Sequence, residues 1–183
     1  MNICLMGVGN VLMGDDALGP FVLESLQAAF VLPPNVIVFD AGTPGLDLTV
    51  YLDGFDALIA VDALLAKGPP GEVRSCRRAE LLSGCLPVVP SPHEPTLREA
   101  LIRLDVLGRC PKEILLIGAI PEFVETGTGL SVPLRNAVSV IQVQILRELE
   151  RLGAKAAPRP HPQHVWWEAP ATELHQARIS RLR

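Results

Sequence analysis

Short apolar runs alternate with amphipathic segments along this chain, a pattern that predicts a mostly parallel sheet with helices on its faces. Asn2 to Gly7 reads as the first strand. Leu18, Phe21, Val22, Leu26, Ala29 and Phe30 then recur at helical spacing, and Pro33 with Pro34 ends that helix. Val36 to Phe39 is a second strand that closes on Asp40 and the turn-rich Ala41-Gly42-Thr43-Pro44-Gly45, and Ala57 to Val61 is a third that closes on Asp62. Glu72 to Arg77, after the tight Gly68-Pro69-Pro70-Gly71 turn, is expected as an antiparallel edge strand. Leu86 to Pro90 leads through Ser91-Pro92-His93-Glu94-Pro95 into a helix with Leu97, Leu101, Leu104 and Leu107 on its apolar face. Glu113 to Ala119 is a further apolar strand. Pro133 to Leu152 is a long helix with Leu134, Ala137, Val138, Ile141, Ile145, Leu149 and Leu152 on one face, stopped by Gly153.

Residues 1–153 read as one α/β domain. From Ala154 the composition shifts to Pro158, Pro160 and Pro162 with interspersed Arg and His, so residues 154–183 are expected as an extended, basic, Pro-rich extension rather than core. Trp166 and Trp167 lie in it, followed by a short helix from Thr172. The two tryptophans either dock on the body or wait for a partner.

Composition supports this layout. The chain of 183 residues is 49% hydrophobic but only 4% aromatic, so its core is built from Leu, Val, Ile and Ala, as suits buried parallel strands. No apolar run is long enough to span a bilayer, and Met1-Asn2-Ile3 lacks the basic region of a secretory signal; a cytoplasmic protein without membrane insertion is expected. Cys4, Cys76, Cys85 and Cys110 have no Cys-x-x-Cys spacing and are expected as reduced packing residues. Charge is uneven: residues 1–150 carry ten Lys and Arg against eighteen Asp and Glu, whereas residues 151–183 carry six against two. An acidic body repels phosphate backbones, which argues against nucleic acid and favours cations or a basic protein segment as partners.

The chemistry-bearing residues fall at strand ends. If the first three strands run parallel, the Gly7-Val8-Gly9-Asn10-Val11-Leu12-Met13-Gly14-Asp15-Asp16 loop, Asp40 and Asp62 converge on one sheet edge, where open α/β folds gather ligands. Asp16, Asp62 and His93 together offer two carboxylates and an imidazole, a set that suits zinc, nickel, iron or manganese while leaving coordination positions open. Singly, each has a plainer reading. Asp15 or Asp16 can cap a helix, worth ~1 kcal/mol. Asp40 and Asp62 can form turns, and His93 can be a solvated loop residue. The glycines also suggest a dinucleotide-binding enzyme with Asp40 as the ribose acid. However, the third glycine of that fingerprint would fall at Leu12, and two carboxylates stand where a pyrophosphate needs amides.

The first loop, Asp40-Ala41-Gly42-Thr43, Val61-Asp62-Ala63, Ser91-Pro92-His93-Glu94 and Ile117-Gly118-Ala119-Ile120-Pro121-Glu122 resemble, in order, the motifs of the hydrogenase maturation endopeptidases. The resemblance runs from residue 2 to about residue 152. It implies a three-layer fold, a twisted and mostly parallel sheet of about five strands between helix layers. It also implies an aspartic-type protease that removes a C-terminal peptide from the large-subunit precursor of a nickel-iron (NiFe) hydrogenase once nickel is inserted. The family's nickel-recognition ligands match Asp16, Asp62 and His93, with Asp40 as a further candidate without an assigned role. Nickel comes in with the substrate, and another divalent metal can occupy the isolated protein. On this reading Gly7, Gly9 and Gly14 shape the turn that presents Asp16, and Asp15 is the helix cap. A non-catalytic nickel-binding accessory protein and a Rossmann-type nucleotide-binding enzyme are the alternatives.

Overall fold

The computed structural model describes residues 1–42, 48–83, 97–163 and 165. In chain order it contains β1 (Ile3–Val8), a 3-10 turn (Gly14–Ala17), α1 (Leu18–Ala29), β2 (Phe30–Val31), β3 (Val36–Gly42), α2 (Leu48–Leu52), β4 (Ala57–Ala63), β5 (Val73–Arg77), α3 (Arg78–Ser83), α4 (Leu97–Val106), β6 (Glu113–Ala119), α5 (Val132–Arg151) and β7 (Ala157–Pro158). The main sheet has five strands in the order β3-β1-β4-β6-β5. β3, β1, β4 and β6 are parallel, and β5 closes the edge antiparallel to β6, as the sequence predicts. Because β3 and β4 flank β1 on opposite sides, the carboxyl end of β1 is a topological switch point.

Alternation along the strands sorts the core into two layers. Ile3 and Leu5 of β1, Ala57, Ile59 and Val61 of β4, and Leu115 and Ile117 of β6 pack with Leu18, Val22 and Leu26 of α1 and Leu134, Ile141 and Ile145 of α5. The opposite face sets Cys4, Met6, Leu58, Ala60, Ile114 and Leu116 against Leu48 and Leu52 of α2, Leu81 of α3, and Leu97, Leu101 and Leu104 of α4. All six residues of β1 are buried, which explains why its sequence is continuously apolar rather than alternating. Each buried Leu or Ile contributes roughly 1.5–3 kcal/mol, so a core without large aromatics suffices.

The layers are also tied by charge. Glu148 on α5 is 4% exposed and takes hydrogen bonds from Arg77 of β5 at 2.5 and 2.9 Å and from Arg151 at 2.8 and 3.1 Å. Burial alone would raise its pKa; the two guanidinium groups overcome that and hold the carboxyl down at about 2.

Several expectations shift at their edges. Phe30, counted on the helical face of α1, starts β2, because α1 ends at Ala29 and Phe30 has an extended backbone. Leu107 lies beyond the end of α4 and is exposed, since the chain turns at Gly108, whose φ is +69°. The extension after Gly153 is not free where it is described. Ala154 is buried, Ala157–Pro158 pairs antiparallel with Phe30–Val31, and the amides of Arg159 and Gln163 donate to the carbonyls of Ala29 and Ala28 at 2.8 and 2.9 Å. Proline favours the extended conformation, but the residues between the prolines still bring amides that strap this segment to the end of α1. Trp166, Trp167 and the helix expected from Thr172 lie outside the described residues, as do Leu86 to Pro90 and Cys85. Among the described residues, Cys4, Cys76 and Cys110 form no disulfide. Among the described residues, no helix is long and apolar enough to cross a membrane.

Candidate active site at the sheet edge

The site is built from the end of β1. Gly7 pairs with Asp40 of β3 on one side and Val61 of β4 on the other, so Asp40 and Asp62 stand at the same sheet edge as the first loop. Two glycines bring α1 against this edge. A Cβ on Gly19 would come within 2.2 Å of the Val8 carbonyl and 2.7 Å of the Val61 carbonyl, and one on Gly7 would meet the Gly19 backbone at 2.8 Å. The first turn of α1 therefore rests directly on β1 and β4.

The loop is folded inward on itself. Gly9 has φ +134°, and a side chain there would collide with the Asp16 carbonyl. The Gly9 amide donates to the Gly42 carbonyl at 2.9 Å, and the Asn10 amide donates to Asp16 Oδ2 at 2.8 Å. Asn10 in turn accepts from Leu12 N at 3.0 Å through its side chain and from Met13 N at 3.0 Å through its carbonyl. These bonds hold Asp16 across the mouth of the loop. They also consume the amides that a phosphate would need, which removes the physical basis of the nucleotide-binding alternative.

Asp16 and Asp62 are electrostatically coupled. The Asp62 carboxyl is pushed up to about 8, first by burial and then by the charge on Asp16, against the lowering effect of the Ala63 amide. Two carboxyl groups that oppose each other's ionisation favour a nearby cation, and the hard carboxylate set suits a divalent metal. Asp40 is exposed and its Oδ1 accepts from the Gly42 amide at 2.9 Å, so it secures the last residues of β3 at this edge. His93 lies outside the described residues. Among the described residues no group of three His, Cys, Asp or Glu side chains forms a cage for a metal ion.

Asp15 is not the helix cap that its position suggests. The 3-10 turn and α1 have no side-chain cap bond, and Asp15 is completely buried with its carboxylate turned away from its own helix. Oδ1 accepts from Ser131 N at 2.7 Å. Oδ2 accepts from Ser131 Oγ at 2.9 Å, Glu122 N at 2.8 Å and Phe123 N at 3.3 Å. Ser131 is itself the N-cap of α5, accepting from Leu134 N at 3.4 Å. A carboxylate flanking a helix start normally reads as a cap, but its local amides lose here to four donors more than a hundred residues away. Nothing in the residues around Asp15 signals those partners. Ser131 before Val132-Pro133 is the one local sign, as a cap of α5.

Fold and site define an open α/β protein with a coupled carboxylate pair at its topological switch point. The family model for hydrogenase maturation proteases matches residues 20–148. The hydrogenase 2 maturation protease of Escherichia coli is 34% identical over 160 residues, covering 87% of this chain and 97% of that protein. HupD, a hydrogenase expression/formation protein of Bradyrhizobium diazoefficiens, is 33% identical over 138 residues, 75% of this chain and 72% of its own. The solved E. coli hydrogenase maturating endopeptidase HybD superposes with a TM-score of 0.80 at 34% identity, covering 87% of this chain and 98% of that one. The maturation protease HycI of Thermococcus kodakarensis gives 0.65 at 25% identity, covering 81% and 92%. The chain belongs to the hydrogenase maturation protease family. Its reaction is that of an endopeptidase.

Proposed function

We propose that this protein releases the C-terminal peptide from the nickel-loaded large-subunit precursor of a nickel-iron hydrogenase in the cytoplasm, and that Asp16, Asp62 and His93 engage the nickel that the precursor carries. The observation that carries the reading is the coupling of Asp16 to Asp62 at the switch point. A pair that suppresses its own double ionisation gains most from a cation, so a precursor without nickel meets repulsion and a loaded one meets donors. Asp40 ends β3 at the same sheet edge, with β1 between it and the strand of Asp62.

The same coupling suits aspartic-type hydrolysis. The raised Asp62 carboxyl keeps its proton near neutral pH until nickel displaces it, and a carboxylate at this edge acts as base toward the water that attacks the scissile peptide bond. That carboxylate takes a proton from the attacking water and passes it to the departing amine. Metal binding by the resting protein involves another divalent ion, and residues 154–183 act as an extension of the 1–153 protease domain.

Incubation with candidate precursors, with and without nickel, tests this directly. Mass spectrometry is expected to find a released C-terminal peptide only from loaded precursor. Tight complex formation with no mass change would support the alternative of a non-catalytic nickel-binding accessory protein.

A further inference from the structure

We propose that Asp15 is a positioning residue, through which the loop between β6 and α5 sets the geometry of the adjacent metal-recognition residue Asp16. This rests on the reading of Asp16 and Asp62 given above. The carboxylate of Asp15 is fully buried and accepts four hydrogen bonds, all from N–H or O–H donors of residues 122, 123 and 131. A buried carboxyl group that is held by oriented donors must keep those donors in place, so Asp15 fixes the loop and the loop fixes Asp15.

The two segments are joined along their length as well. Gly14 N donates to the Gly127 carbonyl at 3.0 Å, Gly127 N to the Leu12 carbonyl at 2.9 Å, and Asp15 N to the Phe123 carbonyl at 3.3 Å. Gly14 has φ +57°, and the Phe123 ring lies so close that a Cβ there would meet it at 2.5 Å. The next residue is Asp16, whose carboxylate is held by Asn10 at the other end of the same loop. Asp16 is thus fixed between an inner bond to Asn10 and an outer clamp through Asp15. Such outer supports typically change metal affinity 10–100-fold when lost.

The test compares Asp15→Asn and Ser131→Ala with the wild type. The amide of Asp15→Asn must turn its NH2 toward either Ser131 N or the triad of donors at Oδ2, so at least one donor loses its acceptor. Three readouts are used: calorimetric affinity for nickel ion alone, KM and kcat for loaded precursor, and hydrogen exchange of the Glu122, Phe123 and Ser131 amides. Asp15→Asn is expected to weaken nickel binding and raise KM by about tenfold or more, with a smaller fall in kcat because the Asp16 and Asp62 carboxyls are both retained. Exchange at the three amides should accelerate selectively. Ser131→Ala, which keeps the backbone donor, should show the same pattern at smaller amplitude, and it carries the test if Asp15→Asn does not fold. Folded variants with faster amide exchange but unchanged nickel affinity and KM would overturn the positioning role and leave a purely structural one. If the wild type itself neither binds nickel nor cleaves loaded precursor, it is the reading of Asp16 and Asp62 that fails instead.

Discussion

Asp62 near the end of β4 stands within the field of Asp16 in the 3-10 turn before α1, and burial together with that charge holds the Asp62 carboxyl at about 8. An acid whose folded pKa lies above its ordinary value favours the fold while protonated. The stability it contributes is fully present below about pH 4 and is lost as pH rises through about 8. Asp62→Asn removes this titration. The variant is expected to be more stable than wild type by about 1–3 kcal/mol at pH 8, with the gain shrinking toward pH 4, while processing is lost. Urea unfolding at the two pH values checks it; a gain independent of pH would assign the effect to something other than the carboxylate.

Glu148 has the opposite sign. Its carboxyl is held at about 2 by Arg77 and Arg151 against the cost of burial. Its stabilisation is therefore complete above about pH 4.5 and disappears as pH falls through about 2. Glu148→Gln leaves Arg77 without its charged partner at the junction of β5 and α5, and it is expected to cost about 2–3 kcal/mol at pH 7. Denaturation curves of the two proteins should converge as the pH approaches 2, where the wild-type carboxylate is neutralised.

Gly19 sits in a helix, where glycine to alanine is ordinarily stabilising by up to about 1 kcal/mol. Here the added methyl would press on the carbonyls of Val8 and Val61, both main-chain atoms of the central strands. Gly19→Ala should instead destabilise by about 1–3 kcal/mol or more and reduce precursor cleavage, because the 3-10 turn that carries Asp16 runs directly into α1. A thermal shift upward would show that the helix can lift off the sheet without loss.

The strap formed by Ala154 to Gln163 is expected to contribute to the stability of the body. A chain ending at Gly153 loses the β2–β7 pair, the buried Ala154, and the Arg159 Nε bond of 2.7 Å to the Gln27 carbonyl. It should melt several degrees below a chain ending at Val165, by circular dichroism. Equal melting temperatures would show that the strap adds nothing to the body.

Much of this fold is legible because buried parallel strands write themselves as continuous apolar runs. Ile3–Val8, Ala57–Val61 and Glu113–Ala119 each read that way, and the aspartates that close β3 and β4 mark one sheet edge once the strands are known to be parallel. Even the antiparallel edge strand is visible through its proline and glycine turn. Local pattern fails where the deciding partner is distant. Asp15 looks like a cap because its donors lie 107 to 116 residues further along. Phe30 keeps the helical spacing of α1 although the chain has already turned extended to meet Ala157 and Pro158. The prolines after residue 154 suggest a free linker, since the carbonyls of Ala28 and Ala29 that bind it leave no mark on the sequence.

The most direct measurement is the nickel dependence of cleavage in single-residue variants of the proposed recognition set. Wild-type protein and the Asp16→Asn, Asp62→Asn and His93→Ala variants would each be mixed with loaded and nickel-free large-subunit precursor, and the released C-terminal peptide quantified by mass spectrometry. Cleavage of loaded precursor alone by the wild type, with a fall of about a hundredfold or more in each variant, is the expected result. Wild-type rates in the Asp62→Asn and His93→Ala variants, or equal cleavage of both precursors, would contradict it.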